Sequence, residues 1–190
     1  MDGILTGSSA KPDPQHLPRP LKKEEDDELT AARLVAEDWE VIKWLLDHGA
    51  NPNAACRLDL TPMSFAVQNA SLQTISLLFG RAGDIKSGQL IHHAIERDEN
   101  VIEVLNQLLQ KGARVNAVMN ENHQPSWNLQ YFKGIGTALH RAAELGKADV
   151  AGYLVQNGAA HSLQDSKRRT ALDYARRYNH PEIIELLQSS

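Results

Sequence analysis

Thr137-Ala138-Leu139-His140-Arg141-Ala142-Ala143-Glu144-Leu145-Gly146-Lys147-Ala148-Asp149-Val150-Ala151-Gly152-Tyr153-Leu154-Val155-Gln156-Asn157-Gly158-Ala159 is the stretch around which the chain is organised. Threonine caps a helix by offering its hydroxyl oxygen to an unpaired backbone N–H. Leu139, Ala142 and Ala143 follow at helical spacing, and Gly146 stands where a left-handed residue ends the helix. A second short helix is predicted from about Ala148 to Val155, with Val150, Ala151, Leu154 and Val155 on one face and Gly158 as its stop. Each helix falls below the ~12 residues at which an isolated helix survives in water. The pair needs copies of itself on either side.

The copies are present. Thr170-Ala171-Leu172-Asp173-Tyr174-Ala175 begins 33 residues after Thr137 and repeats T-A-L-H-x-A with Asp173 at the histidine position. Upstream, Thr61-Pro62-Met63-Ser64-Phe65-Ala66 is another copy, with Pro62 at the first helical position, where a missing N–H costs nothing. This pattern resembles the ankyrin repeat, whose period is about 33 residues and whose signature is T-P-L-H-x-A. The resemblance runs from about Glu28 to the C-terminus and implies an all-α solenoid of about five helix-turn-helix units: 28–55, 56–83, 84–116, 132–164 and 165–190. It implies protein interaction as the function, without enzymatic activity or cofactor, and leaves the partner open because arrays of this fold carry many functions.

Residues 1–27 are different in kind. Pro12, Pro14, Pro18 and Pro20 block helices and ladders, and Lys22-Lys23-Glu24-Glu25-Asp26-Asp27 is a charge run. With little apolar surface to offset its ordering entropy, this segment is expected to be a disordered arm. The first unit is irregular. Val41 to Asn53 reads as a second helix and turn, whereas Leu29 to Ala36 aligns in two ways, with either Glu28 or Thr30 at the threonine position. Its polarity suits a terminal cap with one face in water.

Composition sets outer limits. A formal charge of −4, from 20 basic and 24 acidic residues, argues against a general nucleic-acid binder. The single cysteine, Cys56, suits a reducing compartment and stands where the finger between units usually begins with aspartate. No apolar run is long enough for a membrane span, and no basic start precedes an apolar core as in a secretion signal. The expectation is a monomer in the cytosol or nucleus that binds protein rather than nucleic acid or membrane.

The spacings between units carry more information than the motifs. Thr61 to Gly83 spans 22 positions against 21 from Thr137 to Gly158, which reads as one extra residue. The third unit has Gln89 at the threonine position and two additional residues near Asn100 to Glu103. After Gly83 the finger is six residues short, and within 117–136 the next finger is 13 residues long in excess. Insertions of this kind map to one face of a solenoid, often the binding face.

That overgrown finger holds Trp127, Tyr131 and Phe132, three of the chain's ten aromatics. Aromatics anchor interfaces because they bury much area at small entropic cost. Two roles remain open for them: anchors for a partner, or filling of the gap beside the shortened finger.

The resemblance further implies a concave groove lined by finger tips and by the two residues before each inner helix's terminal glycine. In this chain those helix positions are Gln68 and Asn69, Glu96 and Arg97, Glu144 and Leu145, and Arg177 and Tyr178, with His93 beside them. Finger positions are Arg57, Leu58 and Leu60 early, and Lys167, Arg168 and Arg169 late, which makes the C-terminal end basic. The same resemblance makes His92 and His140 structural hydrogen-bonders. No zinc-ligand spacing, nucleophile elbow or phosphate-cradling glycine loop occurs. A second function class stays open: a small-molecule-binding or catalytic site, walled by Trp127, Tyr131 and Phe132 over His93, Glu96 and Glu144.

Overall fold

The computed structural model describes residues 39–56 and 58–189. The expected arm, the first half of the first unit and Arg57 lie outside the described residues. Ten helices follow: α1 Trp39–Asp47, α2 Pro62–Asn69, α3 Leu72–Gly80, α4 Leu90–Ile95, α5 Val101–Gln110, α6 Gln124–Gln130, α7 Ala138–Leu145, α8 Ala148–Gln156, α9 Ala171–Arg177 and α10 Pro181–Ser189. Among the described residues there is no strand, only an isolated bridge between Val118 and Thr137. From α2 onward, each unit is a short antiparallel pair: α2 with α3, α4 with α5, α7 with α8, and α9 with α10. The inner helices stack as α2, α4, α7 and α9, and outside them α1 packs on α3, α5 on α8, and α8 on α10.

One apolar seam runs through the stack from Ile42 to Leu187, with Val67, Ile75, Leu105, Leu139, Leu154 and Ile183 all fully covered. Small alanines on the inner faces (Ala66, Ala94, Ala142 and Ala175) let neighbouring units approach closely. No pair has a core of its own, so stability is shared between neighbours, as in other solenoids.

Polar side chains fix the register between units by three recurring ties. At the start of the inner helices, Ser64 Oγ donates to Gly88 O (2.6 Å), His92 Nε2 to Gly136 O (3.3 Å) and His140 Nε2 to Arg169 O (3.0 Å). Each acceptor immediately precedes the next unit's capping position. At the far end of the same helices the direction reverses. Arg97 reaches back to Val67 O (2.7 Å) and Ala70 O (2.9 Å), Lys147 to Ile95 O (2.7 Å), and His180 to Glu144 O (3.1 Å). On the outer side, Asn53 bridges to Ala82 O and Asp84 N, and Asn116 to Gly158 O and Ala160 N. Backbone groups that the short helices leave unpaired are thus satisfied by the adjacent unit.

The His140 tautomer follows from its partners. Its Nδ1 lies 3.1 Å from the Thr137 N–H, which can only donate, so Nδ1 is bare and also receives the Thr137 hydroxyl at 2.9 Å. In the third unit Gln89 replaces that threonine with a left-handed backbone and no side-chain cap, and His92 Nδ1 is left buried without a partner.

The register of the second unit differs from the expected one. The backbone position with positive φ that Gly49, Gly112 and Gly158 occupy is taken by Ala82 (φ 64°). Gly83 N–H bonds Leu78 O as Ala113 bonds Leu108 O and Ala159 bonds Leu154 O, so Gly83 stands at the alanine position. Ala82 is 21 positions after Thr61, as Gly158 is after Thr137, so the second unit has no extra residue and its finger is five short rather than six. The inversion follows from space: a Cβ at Gly83 would lie 2.6 Å from Met63 Cε and 2.8 Å from Leu78 O.

The overgrown finger is not plain loop. It rises from the Val118–Thr137 bridge, forms α6, and descends through a 3-10 turn over Tyr131–Lys133. His123 caps α6, its Nδ1 accepting the Ser126 N–H at 3.3 Å, and Pro125 sits in the first turn, where helices tolerate it. The descending arm is pinned to the next finger: Ser166 N–H donates to Ile135 O (3.0 Å), Ile135 N–H to Ser166 Oγ (2.8 Å), and Ser166 Oγ to Tyr131 O.

Candidate functional site: the concave groove

The inner helices turn one or two side chains of each unit into a common groove, and these meet across unit boundaries. Gln68 Oε1 lies 3.0 Å from His93 Nδ1. Glu96 takes a bidentate pair from Arg141, Nε at 2.6 Å and the terminal nitrogen at 3.0 Å. The other terminal nitrogen of Arg141 reaches Glu144 at 2.7 Å, and Tyr178 O–H donates to the remaining Glu144 oxygen at 3.2 Å. A polar ladder therefore spans four units, with Arg141 at its centre. Such fork-to-carboxylate pairing is directional as well as strong, so the ladder holds its side chains in fixed poses.

The electrostatics follow from this pairing. The Arg141 hydrogen bond, opposed by burial, lowers the Glu96 carboxyl below its usual value. The same bond raises Arg141. Burial lowers His93, opposed by the charge of Glu96, and its Nε2 is covered and without a partner. Burial also lowers His140, and it takes His92 down to about 4.

Above the ladder lies an open cavity of about 530 Å³. His93, Glu96, Arg141 and Glu144 form its floor, and Gln130, Lys133 and the Gly134–Thr137 backbone of the long finger form its wall. The three finger aromatics are not among its walls. Tyr131 and Phe132 are 53% and 57% exposed and pack edge to face at 6.2 Å, while Trp127 is half-buried. Nor do they line the space beside the shortened finger. There a second cavity of about 320 Å³ remains between Ile85–Lys86 and Val118–Asn122.

Other expected groove positions divide. Asn69, Leu145 and Arg177 are exposed, and Arg177 lies over the Tyr178 ring at 5.9 Å. Lys167 and Arg168 are exposed at the last finger tip, and Leu58 at an earlier one, with Leu60 half-buried. Arg97 is not in the groove. Ala70 stands where the Thr137 unit has Gly146, so α2 ends in extended backbone without the left-handed closure, and Arg97 is buried beneath it serving its carbonyls. Arg169 is likewise committed, to Asp165 (2.9 and 2.7 Å) and the Tyr174 hydroxyl. Burial raises the Asp165 carboxyl, but hydrogen bonds from the Arg169 backbone and side chain and from Tyr174 outweigh it, leaving a net lowering.

Arg141 and Lys133 were missed as groove residues in the sequence reading. The three-residue spacing of Arg141 from Glu144 is a signal for their pairing on one helix, but nothing local signals Glu96. Cys56 sits as expected at the aspartate position. Its N–H bonds Leu60 O as the Asp165 N–H bonds Arg169 O, and its sulfur accepts the Leu58 N–H at 3.5 Å. Among the described residues, no group of three or more His, Cys, Asp or Glu side chains is placed to hold a metal ion, and no helix is long and apolar enough to cross a membrane.

Comparison with known families gives two matches. A family model described as ankyrin repeats (3 copies) matches residues 91–190, and one described as ankyrin repeats (many copies) matches residues 29–79. The stretch between them, residues 80–90, contains the shortened finger.

Proposed function

From this chain's membership of the ankyrin-repeat family, whose members generally serve as non-enzymatic protein-interaction modules, we propose that it binds a partner protein along the groove and the outer face of the long finger. The observation that carries the reading is the pair Tyr131 and Phe132. Two large rings lie more than half exposed, on a turn whose backbone is bonded to the neighbouring finger. A rigidly mounted apolar pair loses little entropy on binding, and that is the physical basis of an interface anchor.

The test is affinity capture with the wild-type chain and with a Tyr131→Ser/Phe132→Ser variant, read by mass spectrometry. The partner is the protein lost from the variant, with affinity reduced by about 2 kcal/mol or more, as hot-spot truncations are. Because both rings are exposed, the melting temperature should not move. A variant that captures the same proteins at the same level refutes the anchor role.

One observation favours a second reading, a small organic ligand in the groove. The cavity of about 530 Å³ has the volume, and His93, whose covered Nε2 has no partner, is among the residues that line it. The rings proposed to wall it lie elsewhere, so such a ligand would rest on His93, Glu96 and the finger backbone alone. A ligand library screened by thermal shift against wild type and His93→Phe tests it.

A further inference from the structure

We propose, resting on the groove-binding reading, that the partner presents an acidic linear segment carrying a large apolar side chain, and that it docks at the C-terminal half of the groove. The charges there are unbalanced in one direction. The carboxylates of this half are already engaged: Glu96 by Arg141, Glu144 by Arg141 and Tyr178, Asp165 by Arg169 and Tyr174, and Asp173, at the end of the stack, by the Thr170 N–H and hydroxyl. The cations are not. Among the described residues, Lys133, Lys167, Arg168 and Arg177 have no carboxylate within ion-pair distance.

Backbone bonds bring Lys133, Lys167 and Arg168 together. Ser166 holds Tyr131 and Ile135, so the turn carrying Tyr131, Phe132 and Lys133 lies against the finger tip carrying Lys167 and Arg168. Lys133 also borders the cavity from the finger side, while Arg177 stands at the unit-five position equivalent to Glu144 on the floor. Exposed Tyr131 and Phe132 adjoin Lys133 in the turn, and exposed Tyr178 lies under Arg177. A surface of this kind offers carboxylates unpaired donors and offers one apolar side chain an aromatic seat. A basic segment finds carboxylates that Arg141, Tyr178, Arg169 and Thr170 already occupy. The chain as a whole is acidic, so the local excess of positive charge is a property of this surface and gives the bound segment a direction along the groove.

The test uses the full chain and a fluorescein-labelled peptide of about twelve residues, in which glutamates flank a Phe-Leu pair. Sister peptides carry glutamine or lysine in place of glutamate, and a labelled single-stranded oligonucleotide serves as a second polyanion. By fluorescence anisotropy at low salt, the glutamate peptide should bind about tenfold or more tightly than the glutamine peptide. The lysine peptide should bind least, and the advantage should shrink as salt rises. Lys133→Glu/Lys167→Glu/Arg168→Glu should abolish the advantage at an unchanged melting temperature, which these exposed positions allow. Equal binding of the three peptides, no detectable binding of the glutamate peptide, or tighter binding of the oligonucleotide overturns the proposal.

The chain's own acidic run is tested by neutralising Glu24, Glu25, Asp26 and Asp27 to their amides. Unchanged affinity keeps the site for a partner, and a gain of about tenfold reassigns it to that run. Failure here separates from failure of the groove reading. A captured protein that Tyr131→Ser/Phe132→Ser loses and the charge-reversed chain retains leaves the groove in use and removes its acidic preference.

Discussion

Lowering the pH from 7 to 5 should destabilise this solenoid through its buried imidazoles, and His92 sets the magnitude. The ring is 6% exposed, donates from Nε2 to Gly136 O and has no partner at Nδ1, so a second proton would be buried without an acceptor. Burial therefore pulls its pKa from 6.5 down to about 4. The sign follows from linkage: below 6.5 the unfolded chain takes up a proton that the folded chain refuses, so stability falls with pH until about 4, where both states are protonated. At pH 5 the loss from His92 alone is ~2 kcal/mol, rising to about 3 kcal/mol at the lower limit. His93 and His140, also lowered by burial, act in the same direction. Below that window, the lowered carboxyls of Glu96 and Asp165 add a further loss as they are forced to protonate. Urea unfolding at pH 7 and pH 5 measures the effect, with His92→Gln as the control. Glutamine can still donate to Gly136 O but does not titrate, so the variant should begin less stable at pH 7 and lose ~2 kcal/mol less than wild type on going to pH 5. Identical pH dependence in the two chains would refute the assignment, as would a folded-state His92 resonance that titrates near 6.5.

Five further substitutions probe the seam, the register and the ties between units. Leu139→Ala or Leu154→Ala, both in the seam, should cost about 2–5 kcal/mol, and hydrogen exchange should show the C-terminal units opening while α2 and α3 stay protected. Ala82→Gly should stabilise by about 1 kcal/mol because it relieves a left-handed alanine, whereas Gly83→Ala should destabilise by driving a methyl into Met63 and Leu78 O; chemical denaturation reads both. Arg97→Met should cost ~2–3 kcal/mol, since Val67 O and Ala70 O lose charged donors at a covered helix end, and a denaturation midpoint no different from wild type would show those bonds to be idle.

The solenoid was legible because its punctuation is local. Thr61, Thr137 and Thr170 announce inner helices, and Gly49, Gly112 and Gly158 announce the ends of outer ones, each through backbone geometry that few other residues accept. The reading slipped where geometry and residue type part. Ala82 holds a glycine's conformation, and the glycine beside it is there for space, so counting glycines displaced the second unit by one residue. The groove positions Gln68, Glu96 and Glu144 were legible from their offset to the helix end, but the ladder joining them was not, because Arg141 and Glu96 are 45 residues apart and meet only through stacking. Arg97 was misplaced because its position is set by what α2 lacks, a closing glycine in the preceding unit. Helix α6 was missed because its seven residues carry no apolar period; a histidine cap and a proline in its first turn define it instead.

The back-reaching side chains Arg97, Lys147 and His180 give the array a direction in time. Three inner helices end in carbonyls whose donors are encoded later in the gene: Arg97 for α2, Lys147 for α4 and His180 for α7. As the chain leaves the ribosome from its N-terminus, a unit already synthesised has open ends until the next one has emerged. Its folding is completed from behind, one unit late. A nascent chain halted after residue 146 would hold the second unit finished and the third still lacking the lysine that closes it. The end of α7 is sealed only when His180 has emerged, so the fourth unit, like those before it, waits on the chain behind it for its closure.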